Sequence, residues 1–118
     1  MGTRNRVIAL GAIGALAVAG MASPALAAKP KTINVVTTKK AMLKYTGIPA
    51  KLAAGTYVFR YTNTSGMDHN LKVGSVSTPV FAKGTKSITV KLKKGKVAYI
   101  CTVPGHAAAG MKGTIKVT

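Results

Sequence analysis

From Lys29 onward, apolar and polar side chains alternate along this chain with a period of two. Ile33, Val35 and Thr37 alternate with Asn34, Val36 and Thr38; Tyr57, Phe59 and Tyr61 with Val58, Arg60 and Thr62; Ile88, Val90 and Leu92 with Thr89, Lys91 and Lys93. Successive side chains of an extended strand point to opposite faces, so each segment can turn one set toward a core and the other toward water. His69–Gly74, Lys96–Cys101 and Gly113–Thr118 predict three more strands, the last from Ile115 and Val117 against Lys116. No segment carries a sustained helical period of roughly 3.6 residues. Turn signals at Gly47-Ile48-Pro49, Ala54-Gly55, Ser65-Gly66, Pro79, Lys83-Gly84 and Lys94-Gly95 separate the strands. Short strands at this spacing predict an all-β sandwich or barrel, and Lys and Thr on the outer faces keep the edges of a monomer from pairing with other chains.

The first 27 residues read as an export signal. Arg4 and Arg6 form a positive start, Val7 to Met21 is almost wholly Ala, Gly, Leu, Ile and Val, and Ala25-Leu26-Ala27 is a small-x-small cleavage site. If the run were not cleaved it would serve as an N-terminal anchor. Residues 28–118 then form one domain, because a chain of this length has room for a single core. Removing 27 of 118 residues leaves 91, and loss of Arg4 and Arg6 takes the formal charge from +17 to +15. The expected location is periplasmic or extracellular.

A small exported domain with one Cys has no internal disulfide, so a bound metal is a candidate source of stability. The single thiol stands in Cys101-Thr102-Val103-Pro104-Gly105-His106-Ala107-Ala108-Ala109-Gly110-Met111, a loop between two strands with thiolate, imidazole and thioether at five-residue steps. The only other histidine, His69, follows the turn Ser65-Gly66-Met67-Asp68. Each residue alone has a plainer reading: an inert buried thiol, a solvated turn histidine, a methionine packed in a loop. Together, two His, one Cys and one Met complete a blue-copper ligand set, three ligands roughly in a plane and a long axial thioether. Zinc sites favour closed sets of Cys and His without Met. Strand alternation places His69 with Leu71 and Val73, and Cys101 with Val97 and Tyr99, so both strands can turn one ligand inward.

Gly55-Thr56-Tyr57-Val58-Phe59-Arg60-Tyr61-Thr62-Asn63 followed by His69-Asn70-Leu71 resembles the strand, loop and first-histidine segment of the cupredoxins: plastocyanins, azurins and auracyanins. Gly95-Lys96-Val97-Ala98-Tyr99-Ile100-Cys101, Pro104-Gly105-His106 and Gly110-Met111-Lys112-Gly113 resemble their ligand loop. The Cys-x4-His-x4-Met spacing is most similar to that of rusticyanin and sulfocyanin. The resemblance implies a Greek-key β-sandwich and one Cu(I)/Cu(II) ion, held by His69, Cys101 and His106 in the equatorial positions and by Met111 axially. It also implies that Asn70 ties the two ligand-bearing segments together by hydrogen bonds, with Thr102 as partner.

Three firm ligands and one weak one leave little room for a substrate, so catalysis is not expected. Two histidines are too few for the further centres of multicopper oxidases or copper nitrite reductases. Electrons are expected to pass through the exposed edge of His106, whose uncharged rim of Pro104, Ala107, Ala108 and Ala109 suits brief docking of a redox partner. The lysine-rich surface would steer the protein toward an acidic redox partner or an anionic membrane or envelope, or serve solubility alone. Nucleic acid is not an expected partner, since the basic stretches lack interleaved aromatics. The expected function is one-electron carriage; the alternative is copper storage, delivery or buffering.

Overall fold

The computed structural model describes residues 29–118; the predicted export signal lies outside the described residues. Within them the chain forms β1 (Lys31–Thr38), β2 (Ala41–Thr46), β3 (Lys51–Leu52), β4 (Gly55–Asn63), β5 (Lys72–Val73), β6 (Val76–Ser77), β7 (Gly84–Leu92), β8 (Gly95–Ile100) and β9 (Lys112–Val117). Four strands make one sheet in the order β2-β1-β4-β7, and five make the other in the order β3-β9-β8-β5-β6. The result is the β-sandwich that the resemblance implies. β1 runs parallel to β4 with Val35 opposite Tyr61, and β3 runs parallel to β9; the remaining pairs are antiparallel.

The core lies where the alternation puts it. Val35, Phe59, Tyr61, Ile88 and Val90 project from the first sheet and meet Val73, Ile115 and Val117 from the second. In β4 and β9 every second residue is buried, so burial of apolar area fixes the register: a slip by one residue would expose the whole inner set.

Four segments depart from the sequence reading, two of them the two-residue strands Lys51–Leu52 and Val76–Ser77, too short for alternation to mark. Ala41–Thr46 forms an edge strand that alternation does not mark, because Ala41, Met42 and Leu43 are consecutive apolar residues, all half-buried. Its strand state comes from the ladder with β1, whose register shifts between Val36 and Thr38. The predicted strand His69–Gly74 is also broken. Only Lys72–Val73 joins the sheet, while His69 makes an isolated bridge to Phe81 and Gly74 turns the chain with φ of 61°. The alternation survives, with His69, Leu71 and Val73 all buried, but the chain leaves the sheet early enough to set His69 at the end of the sandwich.

That end is defined by β8, which rises from Gly95 to Ile100 and delivers Cys101. The other end, here called the base, holds the β7–β8 turn, the start of β1 and the end of β9, where Gly95 faces Val117 and Gly55 faces Leu92.

Candidate metal centre

His69 is positioned by the loop after β4. Asn63, the last residue of that strand and fully buried, holds the loop from inside: its Nδ2 donates to the Met67 carbonyl at 2.9 Å and to the Phe81 carbonyl at 2.7 Å. Its Oδ1 accepts from the Ser65 amide at 3.0 Å and the Ser65 hydroxyl at 2.7 Å. Backbone bonds from the His69 amide to the Phe81 carbonyl at 3.1 Å and from the Phe81 amide to the His69 carbonyl at 2.9 Å then fix the residue. Asn63 and Phe81 are therefore organisers of the site that alternation alone does not single out. The local signal for the first is Asn-x-Ser, a pattern that favours a side-chain-capped turn.

Cys101, His106 and Met111 are brought together by a tightly wound loop. The Cys101 amide donates to the Met111 carbonyl and the Met111 amide to the His106 carbonyl, each at 3.0 Å. Gly105, with φ of 83°, supplies the left-handed residue that lets the chain reverse just before His106. Past the loop, the chain returns along β9, where Gly113 lies under the ring of Tyr99; a Cβ there would overlap the Tyr99 hydroxyl and ring carbons.

The three strong donors converge on one point. His69 Nδ1 and His106 Nδ1 are 3.1 Å apart, and Cys101 Sγ lies 3.6 Å from the second and 4.0 Å from the first. A point equidistant from these atoms is roughly 2.1 Å from each, within the bond range of about 2.0–2.3 Å for nitrogen and thiolate on a first-row metal. One proton could bridge the two nitrogens, but it would make no use of the sulfur aimed at the same centre. His69 is wholly buried and Cys101 is 1% exposed, whereas His106 is only half-buried. The soft sulfur and imidazole set fits copper. Met111 is fully buried beside the loop closure, while Met67 is exposed and cannot compete as the thioether.

Asn70 sits between the two ligand-bearing segments. Its Oδ1 accepts from the Thr102 amide at 2.8 Å, and its Nδ2 donates to the Thr102 hydroxyl at 2.9 Å and to the Ser77 hydroxyl at 3.1 Å. This is the juxtaposition of Asn70 and Thr102 expected from the resemblance, and Asn70 is buried although it points away from the strand's inner face. The Tyr45 hydroxyl donates to the Asn70 carbonyl, and its ring meets Tyr61 and Tyr99 edge-on at 5.5 and 5.8 Å.

Electrostatics keep these groups neutral or receptive to a cation. Burial, with the adjacent Cys101 second, pushes the Tyr45 phenol far above its ordinary range, and burial pushes Tyr61 up to about 12. Burial, followed by the neighbouring His106, lowers the pKa of His69; the Met42 backbone and Asp68 act weakly the other way. His69 Nε2 is buried with no partner at hydrogen-bonding geometry. A neutral imidazole of this kind is a metal donor.

The predicted rim residues Pro104, Ala108 and Ala109 are exposed and Ala107 is half-buried, all in the turns around His106.

Similarity to known proteins agrees with this geometry. The family described as copper-binding proteins, plastocyanin/azurin family, matches residues 20–118. The sequence has no significant match among curated proteins. Among solved structures, an auracyanin from the photosynthetic bacterium Roseiflexus castenholzii superposes with a TM-score of 0.61 at 18% identity, covering 77% of this chain and 99% of that one. Auracyanin A of Chloroflexus aurantiacus, described as a "blue" copper protein, gives 0.60 at 20% identity over 76% and 100% of the two chains. Reduced rusticyanin gives 0.57 at 22% identity over 78% and 83%. At these identities the superpositions show a shared fold, and the family match, which spans most of the chain, supplies the affiliation. With two imidazole nitrogens and one cysteine sulfur focused on a single point and a buried methionine in the same loop, this chain belongs to the plastocyanin/azurin family of copper-binding proteins, the cupredoxins.

Proposed function

We propose that this protein is an exported one-electron carrier with a single type 1 copper centre. The observation that carries the reading is the convergence of His69 Nδ1, His106 Nδ1 and Cys101 Sγ on one point, with Met111 fully buried at the end of the loop that carries Cys101 and His106. Copper bound there supplies one-electron chemistry between Cu(I) and Cu(II).

The protein's own residues account for the rest. His69, Cys101 and His106 would hold the ion, and Met111 would stand as the weak fourth ligand. Asn70 locks the His69 segment to the residue after Cys101, so the donors keep their places when the charge at the centre changes, and little reorganisation slows transfer. Burial of His69, Cys101 and Met111 excludes water and substrate alike, in keeping with a family of non-catalytic electron carriers. His106 alone reaches the surface, and Pro104, Ala107, Ala108 and Ala109 around it form an uncharged rim where a redox-partner protein can approach the ring and leave quickly. The export signal read from residues 1–27 and the family likeness both support a location outside the cytoplasm.

Storage or delivery of copper is the second reading. It is favoured less because a delivery site must give up its ion, and a preformed, buried donor triangle opposes release.

Loading with Cu(II) tests the assignment. An intense thiolate-to-copper charge-transfer band is expected in the wild type and in Met111→Ala with a shifted potential, and it should vanish in Cys101→Ser. A wild-type protein that stays colourless with Cu(II) would refute the site. Fast reversible voltammetry with slow copper loss to a chelator is expected for a carrier; ready loss would instead establish delivery.

A further inference from the structure

The two outer faces of the sandwich differ in chemistry. On the four-stranded sheet, outward positions pair Asn34 with Arg60 and Ser87, and Val36 with Thr62 and Thr85, so a cation there has neutral neighbours. On the five-stranded sheet, Lys51 lies opposite Lys116, and Lys116 lies opposite Lys96. All three are exposed, and neighbouring strands are about 4.8 Å apart, so three lysine side chains leave the sheet from adjacent positions in one row. Like charges directly across a ladder repel and lower stability. Asp68 is the only acidic side chain of the sequence, and it sits beside His69 at the metal end, far from the row. No acidic side chain is therefore at hand to neutralise these lysines.

The row runs across the base. There the β7–β8 turn adds Lys93 and Lys94, and a shallow cavity floored by Val73, Val90 and Val97 is lined by Lys94 and Lys96. The base is also where the preceding part of the sequence joins the fold: β1 starts at Lys31 level with Tyr57, next to the β3–β4 turn, and the apolar run Val7–Met21 lies upstream of that point.

We propose that the base of the sandwich is a docking surface for an anionic lipid bilayer, with Lys51, Lys94, Lys96 and Lys116 as its central contacts. Acidic headgroups supply the counter-charge that the row lacks, and clusters of four or more lysines near a membrane surface bind acidic lipid. Docking by the base turns the metal end, with the small-residue rim of His106, away from the bilayer. The protein would then travel along an acidic membrane with its redox face free. This orientation rests on the reading of the opposite end as the electron-transfer face, but the docking itself does not.

The test uses the protein recovered after export, with whatever part of residues 1–28 it retains, and follows co-sedimentation with vesicles. Vesicles of equal parts phosphatidylglycerol and phosphatidylcholine are compared with pure phosphatidylcholine at about 0.1 M salt. Binding is expected only to the acidic vesicles, and K51Q/K94Q/K96Q/K116Q should weaken it by about tenfold or more. The charge-matched control K39Q/K40Q/K83Q/K86Q, at the metal end, should stay within about threefold of the wild type. The single variant K116E should also weaken binding, and melting curves confirm that each variant is folded whether or not copper is bound. Equal losses in the two quadruple variants would mean that net charge alone acts, and would overturn the proposal. So would equal binding to both vesicles, or failure on vesicles with retention on lipid-free wall material, which would identify an anionic polymer as the partner.

Discussion

Asn70 and His69 are neighbours in sequence with opposite tasks. Asn70 uses both ends of its amide on Thr102, so Asn70→Ala removes these bonds and leaves the Thr102 amide without its acceptor. A loss of about 1–3 kcal/mol in stability is expected. Copper loss to a chelator should also speed up, and unchanged release would refute the locking role. His69 is a base whose folded pKa is lowered, mainly by burial. In the copper-free protein the unfolded chain therefore takes up a proton near its ordinary pKa of about 6.5 while the folded protein resists it. Stability is untouched above that pH and falls as the pH drops below it. Melting of the copper-free protein should show this decline, and His69→Asn should flatten it; an identical slope in the variant would exclude His69 as the cause.

At the scale of elements, the lysine row is a cost built into the five-stranded sheet. Replacing its central member removes two repulsive pairs and creates two attractive ones, so Lys116→Glu is expected to stabilise the protein by about 0.5–1 kcal/mol at low salt. Chemical denaturation of the pair of proteins measures this, and a destabilised variant would show that the row is not strained by charge. The strands themselves differ in how far local pattern defines them. β4 and β9 alternate cleanly because one side of each meets the core. β2 does not, since an edge strand owes its state to hydrogen bonds with β1 and to Tyr45 packing on Tyr61, contacts made with residues distant in the chain. The same holds for the segment after His69, where pairing with Phe81, not alternation, decides where the strand stops.

Over residues 28–118 as a whole, a formal charge of +15 with one acidic side chain means that folding gathers cations with almost no acidic partners. Self-repulsion of this kind weakens the compact state, and salt screens it over about 10 Å at 0.1 M. The melting temperature should rise as sodium chloride is added from about 0.01 to 0.5 M. A fall would mean that favourable ion pairs, not repulsion, dominate the surface.

The sandwich is legible along the chain because burial of apolar area follows a period of two, and three donors are legible because His69, His106 and Cys101 exhaust the histidines and the thiol, with Met111 marked by its place in their loop. The sequence also placed Asn70 with Thr102, though through resemblance to related chains and not through spacing. Folding alone settles how donors 32 residues apart meet, along with the cradle of Asn63 and Phe81 around His69, the seat of Tyr99 over Gly113, and the register that lines up Lys51, Lys116 and Lys96. Each depends on which strands become neighbours, and that is settled by packing of the whole core, a property no local period encodes.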